Sequence, residues 1–228
     1  MDPRPRSALV TGANRGLGEA VAAGLHRLGL RVVVAAREAA AAREVADRLG
    51  ANAVPVALDV TEDGTIRAAF QRVGPVDILV NNAGVLLDAG ARPSSVPLDL
   101  VERELATNTL GAWRVAQAFL PGMLAEGWGR IVNVSSGTGS FSNGIFAGTP
   151  GYSVSKAALN ALTVMLAEET RGTGVLVNAV NPGLVRTRMR PGAEQAPEAA
   201  AEGVIRAATL PDDGPTGAFF RGSRVISW

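Results

Sequence analysis

Residues 7–18 read SALVTGANRGLG, a short apolar run that ends in three closely spaced glycines. Ser7 to Thr11 has the continuous apolar character of a buried strand. Residues 19–28 follow with helical spacing, Ala20, Val21, Leu25 and Leu28 being apolar and Gly29 providing a stop. Strand, glycine turn and helix in that order aim backbone N–H groups and the positive end of a helix at a phosphate. The spacing is G-x-x-x-G-x-G over Gly12, Gly16 and Gly18, which differs from the dinucleotide fingerprint G-x-G-x-x-G. Taken alone, the glycines fit a nucleotide turn or a tight connection between packed elements.

The same rhythm continues along the chain. Residues 31–36 (RVVVAA), 53–58 (AVPVAL), 76–80 (VDILV), 130–134 (RIVNV) and 175–180 (VLVNAV) are buried strand patterns, with a last strand near 216–220. Between them lie helical patterns at 38–49, 62–73, 98–124, 150–170 and 194–208. Alternation of this kind predicts an α/β fold, a single domain built on a doubly wound parallel sheet with helices on both faces. Polar residues gather where strands end: Asp59 and Val60, Asn81 and Asn82 with Ala83 and Gly84, Ser135 and Ser136, and Asn181 with Pro182 and Gly183. Ligands bind along that edge in open parallel sheets, although Asp59 and Asn81 also suit turns. Arg186 to Gly192 is polar and broken by proline, a short substrate lid within about 186–200.

Composition narrows the partners. The 228 residues are 47% hydrophobic and 19% charged, as in a globular protein with one large core. A net charge of +1 with no basic block argues against nucleic acid, and no apolar stretch nears membrane-spanning length. The absence of cysteine excludes disulfides and thiolate chemistry and suits a cytoplasmic protein. His26, the sole histidine, has no partners for a metal site or a catalytic triad and reads as structural.

Tyr152 is the only tyrosine, and Lys156 follows it by four residues. On a helix opening near Pro150 the phenol and the ammonium share one face, and a nearby cation favours the phenolate. Arg37 follows the second strand, which ends at Ala36, with Arg15 available from the glycine turn, and two guanidinium groups suit a 2'-phosphate. Glu38 complicates that choice, as an acid could bind an unphosphorylated ribose or complement a helix dipole. NADP(H) is favoured over NAD(H).

Taken together, TGANRGLG at 11–18, Asp59-Val60, NNAG at 81–84, Asn108, the strand end at Ser136, YSVSK at 152–156 and NPG at 181–183 with Thr187 resemble the short-chain dehydrogenase/reductase family over nearly the whole chain. The resemblance implies a Rossmann-like, seven-stranded sheet and a catalytic tetrad of Asn108, Ser136, Tyr152 and Lys156. In it Tyr152 transfers the proton, Lys156 holds the nicotinamide ribose and lowers the phenol's pKa, Ser136 bonds the substrate oxygen, and Asn108 fixes a relay water. It also implies cofactor contacts at Gly12, Asn14, Arg15, Gly16, Leu17, Gly18, Arg37, Asp59, Val60, Asn82, Ala83, Gly84, Pro182, Gly183, Val185 and Thr187. The ending GAFFRGSRVISW is similar to carbonyl reductases of the family.

The expected activity is therefore NADP(H)-dependent hydride transfer to or from a small carbonyl or secondary alcohol, with no metal. The alternative is a non-catalytic NADP(H)-sensing or scaffold protein on the same fold. Phe141 and Phe146, in a loop longer than the family's usual one, join Leu184, Met189 and Ser136 as candidate substrate contacts. A homodimer or homotetramer through the helices at 98–124 and 150–170 is implied by the resemblance.

Overall fold

The computed structural model describes residues 5–142 and 144–228. Six apolar runs form parallel strands: β1 (Ser7–Thr11), β2 (Arg31–Ala36), β3 (Ala53–Ala57), β4 (Ile78–Asn81), β5 (Gly129–Val134) and β6 (Val175–Val180). β1, β4, β5 and β6 are buried along their whole length, which is why they read as continuous apolar runs with no alternation. The short β7 (Phe219–Arg221) extends the parallel set, and β8 (Arg224–Ile226) returns antiparallel against it. The sheet order is β3-β2-β1-β4-β5-β6-β7-β8. It thus has eight strands, where seven parallel ones were expected. The difference is the tight return at Gly222 (φ 61°), which folds the tail at 217–228 into a hairpin.

Helices cover both faces. α1 (Gly16–Arg27), α2 (Ala39–Leu49) and α7 (Pro197–Ala208) close one apolar layer, with Val21, Leu25 and Val204 wholly buried against β1, β2 and β4. α3 (Asp63–Val73), α5 (Ala112–Glu126) and α6 (Pro150–Glu169) close the other, around Phe119, Leu79 and Ile131. Pro55 sits in the edge strand β3, where proline is tolerated. His26 bonds the Ala51 carbonyl through Nε2 at 2.6 Å, a structural role, as expected.

The helix expected over 98–124 is not continuous. α4 (Leu98–Leu105) passes into one π turn over Ala106–Gly111 and then into α5. Such bulges frequently mark functional sites, and this one carries Asn108. The topology reverses between β1 and β4, so their C-terminal ends flank the crevice where ligands bind in this class of sheet.

Candidate active site

Gly12 (φ 63°) and Gly16 (φ 55°) adopt left-handed conformations that let the chain turn from β1 into α1. Gly18 is required by space, since a Cβ there would collide with the Gly12 carbonyl and the Asn82 amide. Asn82 locks this turn to the end of β4. Its Nδ2 donates to the Thr11 and Gly12 carbonyls at 2.9 and 3.3 Å, while the Thr11 hydroxyl accepts from the Asn82 and Ala83 amides, both at 3.0 Å. Asn14 lies half-buried in the turn, Leu17 is buried beneath it, and Thr187 packs its methyl over Gly16. No side-chain hydrogen bond caps α1 among the described residues.

A glycine cradle, an uncapped helix N-terminus and the exposed Arg15 and Arg37 beside it fit the phosphates of a dinucleotide. Glu38, also exposed, is the N-cap residue of α2 and bonds no amide there with its side chain. Asp59 behaves mainly as a turn former, its Oδ1 accepting from the Thr61 amide at 2.9 Å and hydroxyl at 2.7 Å. Val60 is core, packed against Gly111 of the π turn.

Three elements bring the tetrad together. Ser136 stands just past β5, Tyr152 and Lys156 lie on α6, and Asn108 is on the π turn. Ser135 turns away from the site, its hydroxyl donating to Asn160. Ser136 instead acts on the Tyr152 phenol, and Thr138 supports its hydroxyl through N–H and hydroxyl donors at 3.3 and 3.0 Å. The Lys156 ammonium lies 5.6 Å from the Tyr152 ring centroid and donates to the Val134 carbonyl at 2.8 Å. Gly84 adjoins both remaining members, since a Cβ there would lie 3.1 Å from Asn108 Oδ1 and 3.7 Å from Lys156 Nζ.

Asn108 is fully engaged. It exchanges two hydrogen bonds with the Val85 backbone, at 2.8 and 2.9 Å, and its Nδ2 donates to Ser155 Oγ at 2.9 Å. Thr109 donates to the Ser155 carbonyl at 2.8 Å, so two consecutive π-turn residues fasten the helix that carries Tyr152. Neither Thr109 nor Ser155 stood out in the sequence, because each is an ordinary polar residue in a helical pattern.

The electrostatics differ from the expectation that Lys156 brings the phenol toward neutrality. Burial pushes the Tyr152 phenol up to about 12, opposed by Ser136 and by Arg190, and reinforced by Glu104. Burial also pushes the Lys156 ammonium down to about 8, which weakens the cation that would favour a phenolate. Arg190 is a group the sequence did not flag. It lies after β6 in a segment folded on itself by bridges between Val185 and Gln195 and between Thr187 and Arg190.

The substrate candidates are spread more widely. Leu184 and Met189 are exposed on the segment that follows Pro182 and Gly183. Phe146 is half exposed, its ring resting on Gly148. Phe141 lines a cavity of about 180 Å³ with Trp228 and with Ala157, Ala161 and Val164 of α6, a surface that includes none of the tetrad. A larger hollow of about 820 Å³ lies beside α7 and meets the expected site only at Pro182. We place the site at the tetrad on geometric grounds, because none of the four side chains lines the larger hollow. No cluster of metal-ligating side chains occurs among the described residues. Nor is any helix among them long and apolar enough to cross a membrane.

Comparison with known proteins agrees with this arrangement. Residues 6–198 match the family model described as short chain dehydrogenase. The chain is 37% identical over 214 residues to the 3-oxoacyl-[acyl-carrier-protein] reductase FabG of Pseudomonas aeruginosa, covering 90% of this chain and 83% of that one. It is 39% identical over 190 residues to the protein of the same name from Aquifex aeolicus, covering 80% and 75%. A solved structure described as a short chain dehydrogenase/reductase family protein superposes with a TM-score of 0.86 at 30% identity, covering 97% of both chains. These relatives are 3-oxoacyl reductases by name, so the narrower likeness to carbonyl reductases expected from the tail is not what they carry. Sheet order, glycine turn, clustered tetrad and relatives agree, and the chain belongs to the short chain dehydrogenase family of oxidoreductases.

Proposed function

We propose that the protein reduces the ketone of a 3-oxoacyl thioester to a 3-hydroxyacyl thioester with NADPH. The observation that carries this reading is the gathering of Ser136, Tyr152 and Lys156 at the ligand-binding edge of the sheet, with Ser136 acting on the Tyr152 phenol and the buried Lys156 ammonium 5.6 Å from its ring. The names of the relatives supply the substrate class.

NADPH supplies the hydride when bound. Gly12, Asn14, Arg15, Gly16, Leu17, Gly18 and Ala83 cradle the pyrophosphate side, with Asp59, Val60, Asn82 and Gly84 along the adenosine and ribose side. Arg15 and Arg37 hold the 2'-phosphate, and Pro182, Gly183, Val185 and Thr187 hold the carboxamide end. Ser136 Oγ bonds the substrate ketone oxygen and stabilises the negative charge that grows there. Tyr152 Oη gives that oxygen its proton. A phenol held near 12 is fully protonated at neutral pH, which suits an acid in the reducing direction. Lys156 grips the ribose, and Asn108 and Ser155 fix the turn of α6 between Tyr152 and Lys156.

The test is turnover of acetoacetyl-CoA and of simple ketones and aldehydes with NADPH and NADH, against a Tyr152→Phe control. NADPH oxidation on the thioester that greatly exceeds the control is expected. Tight NADPH binding with no turnover of any carbonyl would overturn this reading and favour a cofactor-sensing role.

We further infer a homo-oligomer built on α5 and α6. Trp113 and Leu124 on α5, and Val154, Val164 and Met165 on α6, are large apolar side chains left exposed in the single chain.

A further inference from the structure

Two carboxyl groups lie buried beside Tyr152 with no part in the chemistry above. Asp88 belongs to the segment that follows β4, and Glu104 is on the last turn of α4. Glu104 is 0% exposed and Asp88 is 2% exposed. Each has one oxygen committed to a backbone amide. Glu104 Oε1 accepts from the Leu87 amide at 2.6 Å, and Asp88 Oδ2 accepts from the Gly151 amide at 2.5 Å. Gly151 immediately precedes Tyr152 in the first turn of α6. The other oxygens, Asp88 Oδ1 and Glu104 Oε2, are buried with no hydrogen-bond partner, and the two carboxyl groups meet at Gly151 and act on each other. Two carboxylates can only accept, so both oxygens are satisfied at once by one shared proton.

The surroundings favour that proton. Burial is the largest influence on the Glu104 carboxyl and pushes it up to about 7, Asp88 adding to the rise and the Leu87 amide opposing it. The groups acting on Glu104 are these amides and Asp88, with no lysine or arginine among them. Arg103 and Glu102 share its helix, Arg92 lies on the Asp88 segment, Tyr152 and Lys156 are on α6, and Arg190 comes from the segment after β6. Of these, Tyr152 feels Glu104 directly, and Arg190 acts on the same phenol with the opposite sign. Space is as tight as charge is unbalanced, because a Cβ at Gly151 would collide with Glu104 Oε2 and lie 3.0 Å from Val101 Cγ2.

We propose that Asp88 and Glu104 are a single-proton carboxyl pair that positions Tyr152 by clamping the first turn of α6, and that loss of the shared proton on the alkaline side loosens the clamp and makes Tyr152 a weaker acid. The proton resides on Glu104, while Asp88 accepts from the Gly151 amide at the positive end of the helix. With the proton present the pair carries one negative charge. Without it, two charges face each other in a buried space and a second one acts on the phenol. Both are positioning residues, since neither reaches the substrate. The proposal rests on Tyr152 acting as the acid, as argued above.

Two conservative variants separate charge from packing. In Glu104→Gln, the amide nitrogen donates to Asp88 at every pH while the oxygen still accepts from Leu87. In Asp88→Asn, the oxygen accepts from Gly151 and the nitrogen donates to Glu104, which then ionises without losing its partner. In the unmodified protein kcat for acetoacetyl-CoA reduction should fall as pH rises through about 7. That fall should vanish in Glu104→Gln and move to lower pH in Asp88→Asn, with KM for NADPH unchanged in both. Tyr152 is the only tyrosine, so near-ultraviolet tyrosinate absorbance reads its ionisation without any substrate. Its midpoint should drop in Glu104→Gln by roughly half a unit, the size one charge exerts across several ångströms of protein. A folded Glu104→Gln protein that keeps the neutral-pH fall, or leaves the tyrosinate midpoint unmoved, overturns the proposal. If no substrate is turned over, the functional reading fails while the tyrosinate titration still decides on the pair.

Discussion

Ser136, just past β5, acts on the phenol of Tyr152 in the first turn of α6, lowering its pKa, while burial pushes that phenol up to about 12. The two residues therefore present a proton donor and a neutral oxyanion partner at one edge of the sheet. Tyr152→Phe should lower kcat by about a hundredfold to ten-thousandfold, the usual contribution of a positioned acid, while NADPH still quenches tryptophan fluorescence. Ser136→Ala should lower kcat at unchanged NADPH affinity. Steady-state kinetics with both variants check this.

Lys156 is the only lysine in the chain, and burial holds it near 8 against an ordinary value of 10.5. A depressed lysine contributes stability that is present above about pH 10.5 and lost as pH falls through about 8. Lys156→Met should thus be inactive yet more stable than the unmodified protein at neutral pH, by a few kcal/mol at most. The gain should shrink as pH rises from 8 toward 10.5. Urea unfolding at several pH values measures it, and carbon-labelled lysine gives one side-chain signal that reports the titration.

Arg15 and Arg37 are exposed at the ends of the adjoining strands β1 and β2. Arg37→Ala should weaken NADPH by about tenfold, near the cost of one charge-assisted hydrogen bond, and leave NADH almost unchanged. Isothermal titration with both cofactors compares them. Equal affinities in the unmodified protein would remove the case for a 2'-phosphate site.

Trp113 and Met165 stand exposed on α5 and α6. If those faces join copies of the chain, Met165→Glu or Trp113→Glu buries a charge at the contact and should yield monomers by analytical ultracentrifugation. A species of unchanged mass would place the interface elsewhere.

Much of this arrangement is legible in the chain because parallel strands are wholly buried and therefore apolar without interruption. β1, β2 and β6 fall on the residues their patterns mark. Strand ends carry the motifs, so knowing the strands located the site. The interruption at 106–111 leaves no such trace, because Leu105 and Ala112 on either side of it are seven positions apart, the same spacing as in two turns of an unbroken helix. β8 is three residues long and largely exposed, so it lacks the apolar signature of the others. The acidity of Tyr152 was misjudged for a related reason. Spacing places a lysine beside a tyrosine, but the burial that pushes the phenol up and the ammonium down depends on how the helix seats against β5. Asp88 and Glu104 stand 16 positions apart, and nothing in either segment signals the other.

The edge strand β3 bears on self-association. The Leu58 amide donates to Ala36 and the Asn52 carbonyl accepts from Val32, so the even-numbered residues there face β2 and Pro55 faces outward. The open margin of the sheet therefore lacks a donor at its midpoint, and the opposite margin ends in a three-residue strand that begins with Arg224. Neither margin is a good template for another chain's backbone, which protects the protein against strand-by-strand aggregation and leaves its helical faces as the surfaces through which copies can meet.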